Sequence, residues 1–106
     1  MEQMNKSLWL DDLRPAPEDW DWATSAEQAI ILLKSRQYVL LSLDHDLGND
    51  RAGTGLDVLR WIEEEVVLHE FRPPEMRVHS MNPVGRQNML AAIDAIQARR
   101  NNMKAV

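Results

Sequence analysis

The sequence has no cysteine, only three lysines and no long hydrophobic run, and each shortage excludes a class of structure or function. Without cysteine the chain can form neither a disulfide nor a thiolate metal site, which fits a reducing compartment. No apolar run approaches the roughly 20 residues that a membrane-spanning helix requires, and no signal-peptide pattern is visible. We therefore expect a cytoplasmic protein with no membrane partner.

The charge and length of the chain limit its partners and its domain number. The formal net charge is −5 over 106 residues, whereas nonspecific nucleic-acid binding needs a basic face, so we expect no broad nucleic-acid-binding surface. A local phosphate site remains open because it needs only one or two arginines. The length predicts one domain over residues 1–106, with a core at about 7–97 and polar tails at 1–6 and 99–106.

Short apolar runs alternate with segments of helical periodicity along the chain. The runs predict strands at 7–11, 39–43 and 76–80, and a weak edge strand at about 20–23. Helices are predicted at 25–36, with Thr24 or Ser25 as N-cap, at 54–68 with Thr54 as N-cap, and from Pro83 with Asn82 as N-cap. Strands that alternate with helices indicate an α/β protein with a parallel sheet.

Polar residues follow three of the predicted strands at the point where each strand ends. They are Asp11-Asp12, Asp44-His45-Asp46 and His79-Ser80. In an open parallel sheet these positions meet at the carboxyl ends of the strands, where ligands bind. We call this side of the sheet the carboxyl edge. Its carboxylates favour Mg²⁺ or Ca²⁺, and the two histidines would also admit Mn²⁺ or Zn²⁺.

Each of these residues also has a purely structural interpretation. An Asp pair after a strand often forms a turn, and Asp-x-Asp-x-Gly suits Asx-type hydrogen bonding. His79 alone could be a histidine bonded to backbone, and the four tryptophans are typical of core or loop packing. These interpretations do not explain why three separate strands all end in groups capable of chemistry.

Four segments of the sequence carry a resemblance to a known family. Segments 8–17, 41–48, 54–62 and 78–86 read LWLDDLRPAP, LSLDHDLG, TGLDVLRWI and VHSMNPVGR, and together they resemble the cyclic-phosphate processing receiver domains. These are a divergent branch of the response-regulator receiver fold. The resemblance covers residues 8–96. It implies a small three-layer, receiver-like (flavodoxin-like) sandwich, shortened to about four parallel strands in the order 2-1-3-4 with about three helices.

The resemblance also implies roles for individual residues. In receivers, acids at the matching positions hold Mg²⁺ and one accepts a phosphoryl group. The metal candidates here, for Mg²⁺ or Mn²⁺, are Asp11, Asp12, Asp44 and Asp46. The catalytic candidates are Asp44, His45, His79 and Ser80, with the two histidines as an acid–base pair. The phosphate-binding candidates are Arg14, Ser80, Asn82 and Arg86.

The implied function is metal-assisted hydrolysis or processing of a cyclic phosphate, either a 2′,3′-cyclic end of RNA or a cyclic nucleotide. Receivers carry an essential lysine on a fifth strand, which the pattern here does not show, since Lys104 lies in a polar segment. Two alternatives remain open. One is a signalling domain phosphorylated on Asp44, and the other is a catalytically idle module that binds a phosphate or inhibits a protein partner.

Overall fold

The computed structural model describes residues 6–104 and contains one parallel sheet with three α-helices. The strands are β1 (Ser7–Leu10), β2 (Asp21–Ala23), β3 (Leu40–Leu43) and β4 (Glu75–Val78). The helices are α1 (Ala26–Ser35), α2 (Gly55–His69) and α3 (Pro83–Lys104), and a 3₁₀ turn spans Asp50–Ala52.

The sheet has the strand order β2-β1-β3-β4, and every neighbouring pair is parallel. The predicted α/β class, four strands, strand order and three helices are therefore confirmed, including the weak edge strand that became β2. In register, Leu10 pairs with Leu43, and Leu43 pairs with Val78. Three strands consequently end side by side, which brings the residues that follow them to the same edge.

One face of the sheet packs against the helices. Side chains alternate between faces along a strand, and register places the inward residues of neighbouring strands together. α1 packs against α2, and α2 packs against α3, so the helices form one layer over this face. The core between the layers includes Leu8, Leu10, Ala23, Leu41, Leu43 and Met76 of the sheet with Leu33, Val58, Leu59, Ile62, Met89 and Ile96 of the helices.

The opposite face of the sheet carries larger and more polar side chains. Trp9 pairs in register with Trp22 on one side and with Ser42 on the other, and Ser42 pairs with Arg77. Trp20, from the proline-containing loop before β2, packs edge-on against Trp9 with the ring centroids 5.8 Å apart. The helices thus form a layer on one face of the sheet. On the other face, where a three-layer sandwich would have its third layer, this loop and these indole rings cover part of the sheet.

All three helices begin at the predicted caps. The Ser25 side chain accepts a hydrogen bond from the Gln28 amide, and Thr54 forms a capping box with Asp57. Asn82 Oδ1 accepts from the Gly85 amide at 3.0 Å, and Pro83 is the first residue of α3. These bonds satisfy amides that have no partner within the helix, and the last of them fixes the start of α3 beside the carboxyl edge.

The last helix is longer than its hydrophobic pattern indicates. α3 continues through Arg99 to Lys104, where the sequence suggests a polar tail. Arg99 Nε donates to Glu63 Oε2 of α2 at 2.6 Å, which adds a contact between the two helices beyond the buried residue Ile96. Despite this length, no helix within residues 6–104 is apolar enough over a sufficient span to cross a membrane.

Candidate metal and phosphate site

Hydrogen bonding between strands continues one residue beyond β1, β3 and β4. The amide of Asp11 donates to Ala23, that of Asp44 to Leu10 and that of His79 to Leu43, at 3.1, 2.9 and 3.0 Å. These bonds fix the backbone of the first residue after each strand. One potential metal ligand atom from each of Asp11, Asp44 and His79 consequently lies within 4.8 Å of the other two.

Asp11 is the most completely fixed member of this cluster. Its side chain is only 1% exposed, and Oδ1 accepts from the amides of Leu13 at 2.8 Å and Arg14 at 2.9 Å. Its carbonyl oxygen accepts from the Trp22 indole at 2.7 Å. Burial raises the pKa of Asp11, but the two amides and His79 together outweigh it and lower the pKa. Asp11 is therefore an oriented carboxylate at neutral pH.

Both ring nitrogens of His79 have partners. Nε2 lies 3.1 Å from Asp11 Oδ2, and Nδ1 lies 2.8 Å from Ser42 Oγ. The ring stacks on Trp9, with centroids 3.9 Å apart and planes 4° from parallel. Burial lowers the pKa of His79 despite the opposing effect of Asp11. A neutral ring satisfies both contacts when Nε2–H donates to Asp11 and the Ser42 hydroxyl donates to Nδ1.

Ser42 and Trp9 were not among the predicted site residues, although the sequence contains a signal for them. Ser42 is the one polar residue in the apolar run of β3, and it pairs in register with Trp9. His79 lies two residues after Arg77, the partner of Ser42 on β4. Positions two apart share a face, so Trp9, Ser42 and His79 meet once the strand order is known.

Asp44 differs from Asp11 in its electrostatic environment. Burial raises the pKa of Asp44, and the negative charge of Asp11 raises it further. The His45 amide donates to Asp44 Oδ1 at 2.8 Å, and it opposes this shift, as does Ser80. The pKa of Asp44 remains raised because the carboxylates of Asp11 and Asp44 lie close together and are partly removed from solvent. A positive charge between Asp11 and Asp44 would stabilise both.

A cavity of about 310 Å³ opens at the carboxyl edge above this cluster, and we call it the edge cavity. It brings together most of the predicted metal and phosphate residues, together with two apolar side chains. Its lining residues are Asp11, Asp12, Leu13, Arg14, Asp44, Asp46, Gly48, Ser80, Met81 and Asn82.

The other predicted residues lie beside the edge cavity. His45 Nδ1 bonds Asp46 Oδ1 at 2.8 Å, and this bond lowers the pKa of Asp46. Asp46 Oδ2 accepts from Asn82 Nδ2 at 3.3 Å, so His45, Asp46 and Asn82 form a connected row. Arg86 donates to the Val78 carbonyl at 3.0 Å and thereby supports the end of β4. Of the two arginines predicted to bind phosphate, Arg14 lines the edge cavity and Arg86 does not.

Two glycines allow the backbone to approach the site. Gly48 has φ of +96°, a conformation that side chains disfavour, and a Cβ there would lie 2.8 Å from Asp12 Oδ2. Gly55, the first residue of α2, packs against the carbonyl of Asp44, which a Cβ would strike. The Gly55 amide also donates to the His45 carbonyl at 3.1 Å. The absence of a side chain at these two glycines therefore leaves room for the Asp12 carboxylate and the Asp44 carbonyl.

The donor set fits a hard divalent cation. Asp11 and Asp44 offer carboxylate oxygens, which Mg²⁺ and Mn²⁺ prefer, and imidazole is accepted by Mn²⁺. His79 can offer Nε2 if its proton moves to Nδ1, because the Ser42 hydroxyl can accept as well as donate. Asp12 and Asp46 line the same cavity, but they lie outside the cluster of three potential ligands.

Comparison with known families matches this chain to one of them. The model of the cyclic-phosphate processing receiver domain matches residues 6–95. The match spans all four strands, α1, α2 and the first part of α3, and it includes every residue that lines the edge cavity. No curated protein matches the chain.

Proposed function

The chain belongs to the cyclic-phosphate processing receiver domains, and from this we propose that it hydrolyses a cyclic phosphate ester in the edge cavity with the help of Mg²⁺ or Mn²⁺. The observation that carries the proposal is the Asp11–Asp44–His79 cluster. Asp11 and Asp44 line the edge cavity, whose wall also includes Arg14, Ser80 and Asn82. The proposed substrate is a small phosphate ester or an RNA end.

The charge of the edge cavity explains why a cation is part of the proposal. Four carboxylates line the cavity together with the guanidinium of Arg14. Two like charges 4 Å apart repel by about 4 kcal/mol at an effective dielectric constant of 20. An anionic phosphate therefore needs additional positive charge. A divalent cation held by Asp11, Asp44 and His79 would supply it and stabilise charge that develops on the phosphate oxygens.

Hydrolysis of a cyclic phosphate adds the oxygen of one water to phosphorus and breaks one of the two P–O bonds of the ring. The water loses a proton, and the leaving oxygen gains one. We assign the transfer of the water proton to His45 Nε2, because Asp46 engages the other nitrogen and orients the ring. Asp44 stays ionised when it holds the cation, so the leaving oxygen takes its proton from solvent. In an alternative route, the Asp44 carboxylate attacks phosphorus, one P–O bond of the ring breaks, and water then hydrolyses the acyl phosphate.

We propose a role for His79 that differs from the acid–base role implied by the resemblance. Its Nε2 faces Asp11, its Nδ1 faces Ser42, and burial lowers its pKa. These surroundings favour a neutral ring, which suits a metal donor and not a general acid. We therefore propose that His79 holds the cation and orients Asp11.

Turnover of 2′,3′-cyclic AMP and 2′,3′-cyclic CMP tests this proposal. With Mg²⁺ or Mn²⁺ present, the protein should release nucleoside monophosphate, and a chelator should stop the reaction. Asp11→Asn and Asp44→Asn should each lower the rate by about 100-fold or more. Asp94→Asn on the exposed side of α3 is the matched control and should retain full activity. Metal-independent turnover, or full activity in Asp11→Asn, would refute the proposal.

A second candidate function is a signalling domain that is phosphorylated on Asp44. It is favoured by the placement of Asp11, Asp12 and Ser80 around Asp44 in one cavity. It is weakened by the positions of two lysines, since Lys6 pairs with Asp21 at 3.5 Å and Lys34 lies in the last turn of α1. Incubation with acetyl phosphate followed by intact mass measurement separates the two functions. A stable phosphoryl adduct that Asp44→Asn abolishes would favour signalling.

A further inference from the structure

Two large apolar side chains stand in solvent at the mouth of the edge cavity. Leu13 is 82% exposed and Met81 is 80% exposed, and both line the cavity. Leu13 lies between Asp12 and Arg14, and Met81 lies between Ser80 and Asn82. Apolar side chains this exposed contribute little to the folded core, and apolar surface in a cleft is typical of ligand sites.

The backbone on both sides of these residues is held in place. The amides of Leu13 and Arg14 donate to Asp11 Oδ1, and the Arg14 carbonyl accepts from the Trp9 indole at 2.8 Å. After β4, the Asn82 amide donates to Ser80 Oγ at 3.1 Å. Leu13 and Met81 are therefore displayed from anchored turns, on two different strand ends that face the same cavity.

We propose that Leu13 and Met81 form a binding site for a nucleobase, so that the ligand of the edge cavity is a nucleoside phosphate. This proposal rests on the function proposed above. The cavity, about 310 Å³, lies at the lower end of the range for small-ligand sites. Carboxylates and Arg14 serve the phosphate end, and the leucine and the thioether offer an apolar surface to an aromatic ring.

The arrangement favours a nucleobase over a protein partner. Both side chains line the same cavity as Asp11 and Asp44, so a ligand that binds at the acidic cluster is within the cavity that Leu13 and Met81 also line. Two side chains alone provide far less surface than the roughly 800 Å² that each side of a standard protein interface buries. A cyclic phosphate without a base would leave this apolar surface in water.

Binding of unreactive phosphates in the presence of Mn²⁺ tests the proposal. The probes are adenosine 3′-monophosphate, an RNA trinucleotide with a 3′-phosphate, glycerol 2-phosphate and inorganic phosphate, measured by titration calorimetry. The variants are Leu13→Ser and Met81→Ser, with Leu68→Ser as the matched control, because Leu68 is 63% exposed near the end of α2. All three positions are exposed, so the variants should fold as the natural protein does.

Each variant at the cavity mouth removes apolar surface from the contact with the base. It should therefore weaken adenosine 3′-monophosphate binding by about tenfold and leave glycerol 2-phosphate and inorganic phosphate unchanged. Leu68→Ser should change none of them. If these variants weaken binding of the trinucleotide and of the mononucleotide by the same factor, Leu13 and Met81 contact the terminal base. Equal affinity of the natural protein for glycerol 2-phosphate and the nucleotide would overturn the nucleobase site alone. Absence of binding by any phosphate with Mn²⁺ would overturn this proposal and the proposed function together.

Binding of a second copy of the chain to this apolar surface would give a different experimental result. If Met81→Ser abolished self-association measured by sedimentation and left nucleotide affinity unchanged, the surface would be an interface between copies of the chain, and the nucleobase proposal would fall.

Discussion

His79 illustrates how one residue can be located from the sequence while its role is not. That a histidine follows β4 could be predicted, because the apolar run ends there and parallel strands end together. Its two bonds could not be predicted, because they depend on the register between neighbouring strands, which pairs Trp9 with Ser42 and Ser42 with Arg77. The result is a partly buried histidine beside Asp11, with a lowered pKa, whereas His45 lies beside Asp46.

Removal of the Ser42 hydroxyl tests the arrangement around His79. Ser42→Ala would leave Nδ1 without its partner, so we expect a loss of about 1 kcal/mol in the free energy of unfolding. Residues that orient metal ligands typically change metal affinity by about 10-fold to 100-fold, and Mn²⁺ affinity should fall by the lower of these factors. Ser35→Ala is the control, because Ser35 also donates a hydrogen bond but is exposed on α1. Unchanged Mn²⁺ affinity in Ser42→Ala would count against the assigned role.

Asp21 should make the protein sensitive to acid. Burial raises the pKa of Asp21, but the Tyr38 hydroxyl at 2.6 Å, Lys6 and Arg36 together outweigh it and lower the pKa. A carboxyl with a lowered folded-state pKa stabilises the fold above its unfolded pKa of about 3.9, and this contribution is lost as the pH falls through the folded value. Asp21→Asn should therefore be less stable than the natural protein at pH 7, and the difference should shrink toward pH 3.

Urea unfolding at pH 7 and at pH 3.5 measures this difference. Tyr38→Phe should show a smaller effect of the same sign, because it removes one of the groups that lower the pKa of Asp21. Asp94→Asn serves as the exposed control. A stability difference between Asp21→Asn and the natural protein that stays constant with pH would show that Asp21 does not act through its charge.

At the scale of elements, local patterns predicted the helix starts well and one helix end poorly. Ser25, Thr54 and Asn82 are caps that a few neighbouring residues determine. The end of α3 depends on the tertiary fold, since Arg99 reaches Glu63 on α2 and no apolar periodicity marks this last segment. The edge strand β2 was only weakly indicated because it has three residues and Trp22 remains 45% exposed.

The first turn of α3 should tolerate no side chain at position 85. Gly→Ala in a helix normally gains up to about 1 kcal/mol, but a Cβ at Gly85 would lie 2.5 Å from the ring of His45. We therefore expect Gly85→Ala to be no more stable than the natural protein and to lose turnover, because His45 is displaced. Asn101→Ala on the exposed side of α3 is the control and should gain a few tenths of a kcal/mol with unchanged activity. A stabilised and fully active Gly85→Ala would contradict this.

The stability of α3 should come from its buried residues and not from the ion pair near its end. Ile96 is fully buried against the core, so Ile96→Ala should cost about 2–5 kcal/mol in urea unfolding. Arg99→Ala removes a pair whose arginine is exposed, and it should cost less than about 1 kcal/mol. Equal losses in the two variants would mean that the contact between Arg99 and Glu63 has been undervalued.

At the scale of the whole molecule, the sheet gathers negative charge in one place. The formal net charge of −5 suggested only that broad nucleic-acid binding is absent. The structure adds that Asp11, Asp12, Asp44 and Asp46 line one cavity at the carboxyl edge. Separate strands supply these acids, so their proximity follows from strand order and parallel direction. The four carboxylates therefore favour the binding of a cation, or of an anion together with a cation.

A crystal structure of the protein grown with Mn²⁺ and adenosine 3′-monophosphate tests the proposed metal and phosphate site most directly. The anomalous scattering of manganese locates the ion without ambiguity. The proposed function predicts one manganese between Asp11 and Asp44, with the phosphate in the edge cavity near Arg14. Manganese only in the neighbouring cavity lined by Asp50 and Asp57, or a phosphate bound outside the edge cavity, would contradict it.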